Sequence, residues 1–170
     1  GDDATRRELL ARVRAGEVTE LNIDIVAFRA RYPNANFMRF KDEELARFAS
    51  SFKRQPFLRN HDVHDIGARD GTIIDAGLYN QEFTQTVRLT SQRGMEDYLQ
   101  GRIDRFSIGW FYDDVICSVC GEQWFGCTHW PGRRYGENKA QLCELIFTNP
   151  SGKETSAVNA PAVQGTRVLW

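Results

Sequence analysis

An α+β fold, a mostly antiparallel β-barrel or sheet with helices packed around it, is predicted by three observations. Several segments alternate apolar and polar side chains with the period of two that marks half-buried strands. Between them lie stretches whose apolar residues recur at helical spacing. The last is an irregular Cys/His-rich stretch between two strand-like segments, which predicts a small zinc-binding flap rather than more sheet.

In chain order, Ala4 to Ala15 places Leu9, Leu10 and Val13 at helical spacing among arginines, and Gly16 supplies a stop, so residues 1–17 form a helical arm. Val18 to Ala30 alternates Leu21, Ile23, Ile25 and Ala27 against polar neighbours and breaks at Arg31-Tyr32-Pro33-Asn34, a strand and a turn. Lys41 to Lys53 sets Leu45, Phe48 and Phe52 on one stripe, with Asp42, Glu43 and Glu44 where the helix dipole favours acid. Pro56 opens a short strand that runs into Asn60-His61-Asp62-Val63-His64-Asp65. Thr72 to Tyr79 and Phe83 to Thr90 are two strands joined by a short polar turn, and Ser91 to Gln100 is a helix carrying Met95, Tyr98 and Leu99. Arg105 to Asp114 is a strand with Phe106, Ile108, Trp110 and Tyr112 on its core face. Gln141 to Thr148 alternates again, and residues 151–170, rich in small and polar residues without periodicity, are expected to form a loosely ordered tail.

At 170 residues, 41% hydrophobic and 26% charged, the chain has enough apolar material for one domain with a core, and too little for two ordinary ones. Twenty-two Lys plus Arg balance 23 Asp plus Glu to a net charge of −1, which gives no sign of a nucleic-acid-binding surface. No apolar run approaches the length that crosses a bilayer, and Gly1-Asp2-Asp3 lacks the features of a signal peptide, so a soluble intracellular protein without a membrane partner is expected.

Three places carry chemistry. Ser107 shares the second face of its strand with Gly109, whose missing side chain leaves space in which another backbone could lie beside the hydroxyl. An ordinary solvent-side serine is the plainer alternative. His61 and His64 stand among carboxylates, and an imidazole is the group best suited to accept a serine proton near neutral pH. A polar turn with inert histidines is the alternative there. Glu144, between Leu142 and Ile146, needs a specific partner if buried, and an imidazole would serve; an exposed edge or an arginine would also explain it.

Cys117-x2-Cys120, then Cys127 and His129, match the donor set of a closed tetrahedral zinc site, with Gly121 completing a Cys-x-x-Cys knuckle. Four protein ligands leave no position for water, so the Zn2+ would be structural, within a flap at 115–135. A disulfide or a redox pair is the competing account. Cys143 is expected to pack as a buried apolar residue.

Together, Phe57 to Gly67 with Asn60-His61-Asp62, the strand Phe106-Ser107-Ile108-Gly109-Trp110, and Leu142-Cys143-Glu144-Leu145-Ile146-Phe147-Thr148-Asn149-Pro150 resemble, in order, the three motif regions of tailed-bacteriophage prohead (capsid maturation) proteases, which are related to herpesvirus assemblins. The resemblance spans about Val18 to Pro150 and implies a protease domain at 18–150 with a helix-surrounded barrel. It further implies a serine endopeptidase with Ser107 as nucleophile, His61 as general base and Glu144 as third member, or His64 where a second histidine takes that place. The substrates it implies are scaffold and capsid protein, and the chain itself, inside the assembling procapsid in the host cytoplasm. It leaves room for a homo-oligomer. A catalytically silent, zinc-stabilised scaffolding or interaction protein of the same fold is the alternative.

Overall fold

The computed structural model describes residues 3–169. Helix α1 (Asp3–Arg14) is followed by β1 (Leu21–Arg29), β2 (Met38–Phe40), α2 (Leu45–Ser50), β3 (Pro56–Arg59), the hairpin β4 (Gly71–Tyr79) and β5 (Glu82–Leu89), and α3 (Gln92–Leu99). Next come β6 (Phe106–Phe111), β7 (Val115–Cys117), the short pair β8 (Arg134–Tyr135) and β9 (Gln141–Leu142), then β10 (Leu145–Phe147), β11 (Ser151–Ala157) and β12 (Arg167–Leu169).

Seven strands make one sheet in the order β12-β1-β5-β4-β3-β11-β6. Every neighbouring pair is antiparallel except β3 with β11. The sheet curls so that β6 approaches β1 across an open seam, which makes the architecture an α+β half-barrel with three α-helices among the described residues. A smaller sheet, β2-β10-β7, stands beside it. Among the described residues no helix is long and apolar enough to cross a membrane.

Local chemistry explains most of these elements. The β4–β5 turn places Asn80 and Gln81 at φ 49° and 63°, the paired left-handed residues that a two-residue hairpin of this twist demands. Ser91 caps α3, its hydroxyl accepting from Gly94 N at 2.9 Å while donating to buried Asp70 at 2.6 Å. The stripe on 41–53 is buried as its spacing predicts, with Leu45, Phe48 and Phe52 at 4%, 0% and 0% exposure, although the segment opens as a 3-10 turn at Asp42–Glu44. Phe48 meets Phe83 edge to face at 5.3 Å and Phe40 meets Trp110 at 5.0 Å, so an aromatic cluster fills the half-barrel behind β6. Each such side chain contributes about 1.5–3 kcal/mol through burial.

Four expectations need correction. The alternation of Val18 to Ala30 fails at its end, where a bulge between Val26 and Phe28 buries consecutive residues. The turn after Arg31 leads into β2, a strand the sequence did not reveal, because its three residues pair with β10 and are too few to display a period. Gln141 to Thr148 is broken at Cys143-Glu144 into β9 and β10. The largest correction concerns residues 151–170, which are not a loose tail: β11 lies inside the large sheet between β3 and β6, and β12 pairs with β1. The domain therefore runs beyond Pro150.

Candidate functional site

β6 and β11 are antiparallel neighbours in a register that sets Ser107 opposite Ser156 and Gly109 opposite Glu154. Cross-strand partners project from the same face of a sheet, so these residues share one surface. On the other flank of β11, β3 ends at Arg59, and the chain reverses through Asn60 and His61 at φ 49° and 58°. Left-handed backbone is unfavourable for a histidine unless its surroundings hold it. Here they do: Asn60 N donates to Ala157 O at 3.1 Å, and His61 N donates to Ser156 Oγ at 3.0 Å. Just before the turn, Arg59 pairs with buried Asp70 and with Asp97, each at 2.6 Å, anchoring the strand end to the start of β4 and to α3.

The turn delivers the His61 ring onto Glu154, with Nδ1 and Oε1 2.5 Å apart. Glu154 is 2% exposed, and its second oxygen accepts from Ser156 Oγ at 2.6 Å. As a carboxylate, Glu154 can only accept, so it places the hydrogen of a neutral imidazole on Nδ1 and leaves Nε2 free as a base. Ser156 is thus bonded to both sides of the arrangement, holding the carboxylate through its hydrogen and the His61 backbone through its oxygen.

Ser107 and His61 line one cavity of about 160 Å³ at the seam of the half-barrel, together with Phe106, Trp110, Asn34 and Val163. Among the described residues no strand pairs with the outer edge of β6, so this cavity borders an open strand edge, and Phe106 N turns there to Thr166 Oγ1 at 3.1 Å. A hydroxyl and an imidazole that line one concave space, with a buried carboxylate against the imidazole, are the groups that nucleophilic acyl transfer uses.

The structure does not bring Glu144 to His61. Glu144 pairs with Arg39 at 3.5 Å on the rim of an adjoining, larger cavity of about 650 Å³, which shares Asn34 and Met38 with the first and is lined also by Leu142 and Ile146. The expected histidine–Glu144 contact is replaced by the arginine partner that the sequence left open, and Glu154 occupies the place beside the imidazole. His64 is exposed, and its N–H donates to Asp62 Oδ1 at 3.1 Å in a turn, away from that pair. The space beside Ser107 is likewise filled differently from expectation. It holds the Glu154 carboxylate, which lies where a Cβ on Gly109 would stand. Gly109→Ala is expected to displace that carboxylate and to cost about 1–3 kcal/mol by overpacking, read as a lowered midpoint in urea unfolding.

The cysteines form a second centre. The ligand atoms of Cys117, Cys120, Cys127 and His129 all lie within 4.8 Å of one another and could hold a metal ion. Cys117 ends β7, and Gly121 at φ 76° closes the knuckle, its N–H donating to Cys117 O at 2.9 Å. Burial alone would push the Cys117 thiol up, but hydrogen bonds from the backbones of Cys120 and Val119 and from neighbouring thiols bring it down, favouring the thiolate that a metal needs. Cys143 is fully buried, as its apolar character suggests, and burial raises its thiol. No disulfide joins these cysteines. Comparison of this chain with protein-family models, with curated proteins and with solved structures finds no match.

Proposed function

We propose that the chain is a serine endopeptidase of the kind the prohead maturation proteases represent, with Ser107 as nucleophile, His61 as general base and Glu154 as the residue that orients the imidazole. The observation that carries this reading is the Glu154–His61 contact opening onto the same cavity as Ser107, beside the free edge of β6. An open edge suits a peptide, because an extended substrate can hydrogen-bond to it along its main chain. Ser107 Oγ attacks the peptide carbonyl carbon while His61 Nε2 takes the hydroxyl proton. The same nitrogen returns that proton to the leaving amine as the C–N bond breaks, and water then releases the acyl group by the same route. Capsid or scaffold protein, and the chain itself, are the substrates consistent with the resemblance, and the interior of an assembling procapsid is the setting.

The metal centre fits a structural Zn2+ held by Cys117, Cys120, Cys127 and His129. In this reading it folds the irregular segment between β7 and β9 and takes no part in acyl transfer. A zinc-stabilised interaction protein without turnover is the second reading, favoured by the exposure of Phe125 and Trp130 on that segment, at 87% and 61%.

The deciding experiment is co-expression with a scaffold or capsid protein, followed by mass spectrometry. The wild type should generate new termini, and Ser107→Ala, folded by circular dichroism, should generate none. A sulfonyl fluoride should label Ser107 and should fail to do so in His61→Ala, since an unassisted hydroxyl is a weak nucleophile. Cleavage that persists in Ser107→Ala would refute the assignment.

A further inference from the structure

The metal centre has one more sulfur beside it than a tetrahedral ion can use. Cys117 Sγ lies 3.6 Å from His129 Nδ1 and 3.9 Å from Cys143 Sγ. With Zn–S near 2.3 Å and Zn–N near 2.0–2.1 Å, two sulfurs on one tetrahedral zinc stand about 3.8 Å apart, and a sulfur and an imidazole nitrogen about 3.5–3.6 Å. The first separation is that of a ligand pair around one ion, and the Cys117–Cys143 separation matches such a pair, although Cys143 stands outside the group of four whose ligand atoms lie within 4.8 Å of one another.

Cys143 is fixed in this position from both sides. Its own N–H donates to Arg133 O at 2.8 Å, and its carbonyl accepts from Gly132 N at 2.9 Å, which ties it to the segment immediately after His129. Its neighbours are tied to the Cys117 knuckle: Glu144 N donates to Ser118 Oγ at 2.8 Å, Ser118 Oγ donates to Leu142 O at 3.2 Å, and Ser118 N donates to Glu144 O at 3.0 Å. The break between β9 and β10 falls at Cys143-Glu144, where those bonds replace a continuous ladder. A thiol that only packs needs apolar surroundings. Cys143 instead presents its sulfur to another sulfur.

Building on the metal reading above, we propose that Cys143 is a fifth donor of this centre, able to take the coordination position of His129 and convert a site of three thiolates and one imidazole into a site of four thiolates. In that exchange the metal–sulfur bond would form as the Cys143 thiol proton passes to solvent, and the metal–nitrogen bond would break as the imidazole leaves as a neutral ligand. The ion chosen is a soft or borderline divalent cation, for which thiolate and imidazole are both good donors.

The test uses the full chain loaded with Co2+, whose sulfur-to-cobalt charge-transfer band grows with the number of thiolates bound. Wild type should hold one equivalent. His129→Ala should also hold one equivalent, with a band about one third stronger as three thiolates become four. His129→Ala combined with Cys143→Ser should bind at least about 100-fold more weakly than His129→Ala alone. A His129→Ala variant that loses the metal, or keeps a three-thiolate band that Cys143→Ser does not alter, overturns the proposal while leaving the reading of three cysteines and one histidine intact. Wild type without metal removes both together. If His129→Ala does not fold, carbethoxylation of His129 in the folded, metal-loaded chain asks the same question. The parent should keep its metal and Cys143→Ser should release it, and release from both, or retention by both, overturns the proposal.

Discussion

Glu154→Gln is expected to lower the rate of substrate cleavage by about ten- to ten-thousand-fold, while Glu144→Gln leaves it within about twofold. The contrast follows from position. Glu154 is buried, touches His61 Nδ1 and shares its second oxygen with Ser156, whereas Glu144 faces Arg39 on another cavity. A glutamine at 154 keeps the volume but loses the charge that stabilises the imidazolium formed as Ser107 attacks. Its amide can also turn its NH2 toward Nδ1 and reverse the tautomer. Because Glu154 acts through His61, its effect should nearly vanish in a His61→Ala background. Steady-state cleavage of a fluorogenic peptide taken from a mapped site, for the parent, both single variants and the double variant, completes the cycle. Independent, multiplying losses would show that Glu154 serves the fold and not the base. Thermal unfolding of Glu154→Gln separates the two contributions, since loss of the buried charge alone changes stability without requiring any coupling to His61.

Removal of the metal is expected to produce the second large effect. Between β7 and β9 the chain has little regular structure beyond the two-residue strand β8 and short 3-10 turns, and its exposed Phe125 and Trp130 add little burial. With the proposed ion bound, metal–ligand bonds would be the main force ordering the segment, and their free energy would be part of its folding free energy. Chelation should therefore expose residues 118–140 to limited proteolysis while the half-barrel, with its own aromatic core, stays folded. In a chain of this size each kcal/mol of lost stability lowers Tm by about 2–4 °C, so a coupled loss of about 3 kcal/mol would appear as a fall of roughly 6–12 °C. Cys120→Ser combined with Cys127→Ser, which leaves too few donors even with Cys143 and touches no buried ligand, should reproduce the chelated state without disturbing the core. An unchanged Tm and an unchanged proteolysis pattern after demonstrated metal loss would mean that the segment is held by packing alone.

Whatever repeats along the chain or is bonded locally can be read from the residues in order. The helical stripe Leu45-Phe48-Phe52, the β4–β5 hairpin, the helix that follows Ser91 and the core face Phe106-Ile108 are legible because burial imposes a period or a turn imposes a residue type. The Cys/His cluster is legible for the same reason: Cys117-x2-Cys120 and Cys127-x-His129 bring donors together within short loops, so spacing nearly suffices. β11 was hidden because its buried residues are polar. Glu154, Thr155 and Ser156 are 2%, 0% and 0% exposed, satisfied by His61, by Gln85 at 2.8 Å and by one another, so no apolar alternation announces a strand. The one available signal was negative: a carboxylate and two hydroxyls in a stretch free of apolar periodicity gain burial only through partners, and those partners lie 93 residues away for His61 and 70 for Gln85. Glu144, set between leucine and isoleucine, looked more like a buried carboxylate than Glu154 did. Which of the two meets the imidazole is set in three dimensions, where β11 inserts between the strand that leads into the His61 turn and the strand that carries Ser107. Burial of a charge follows from the bonds that receive it, and those bonds are made between strands, not along them.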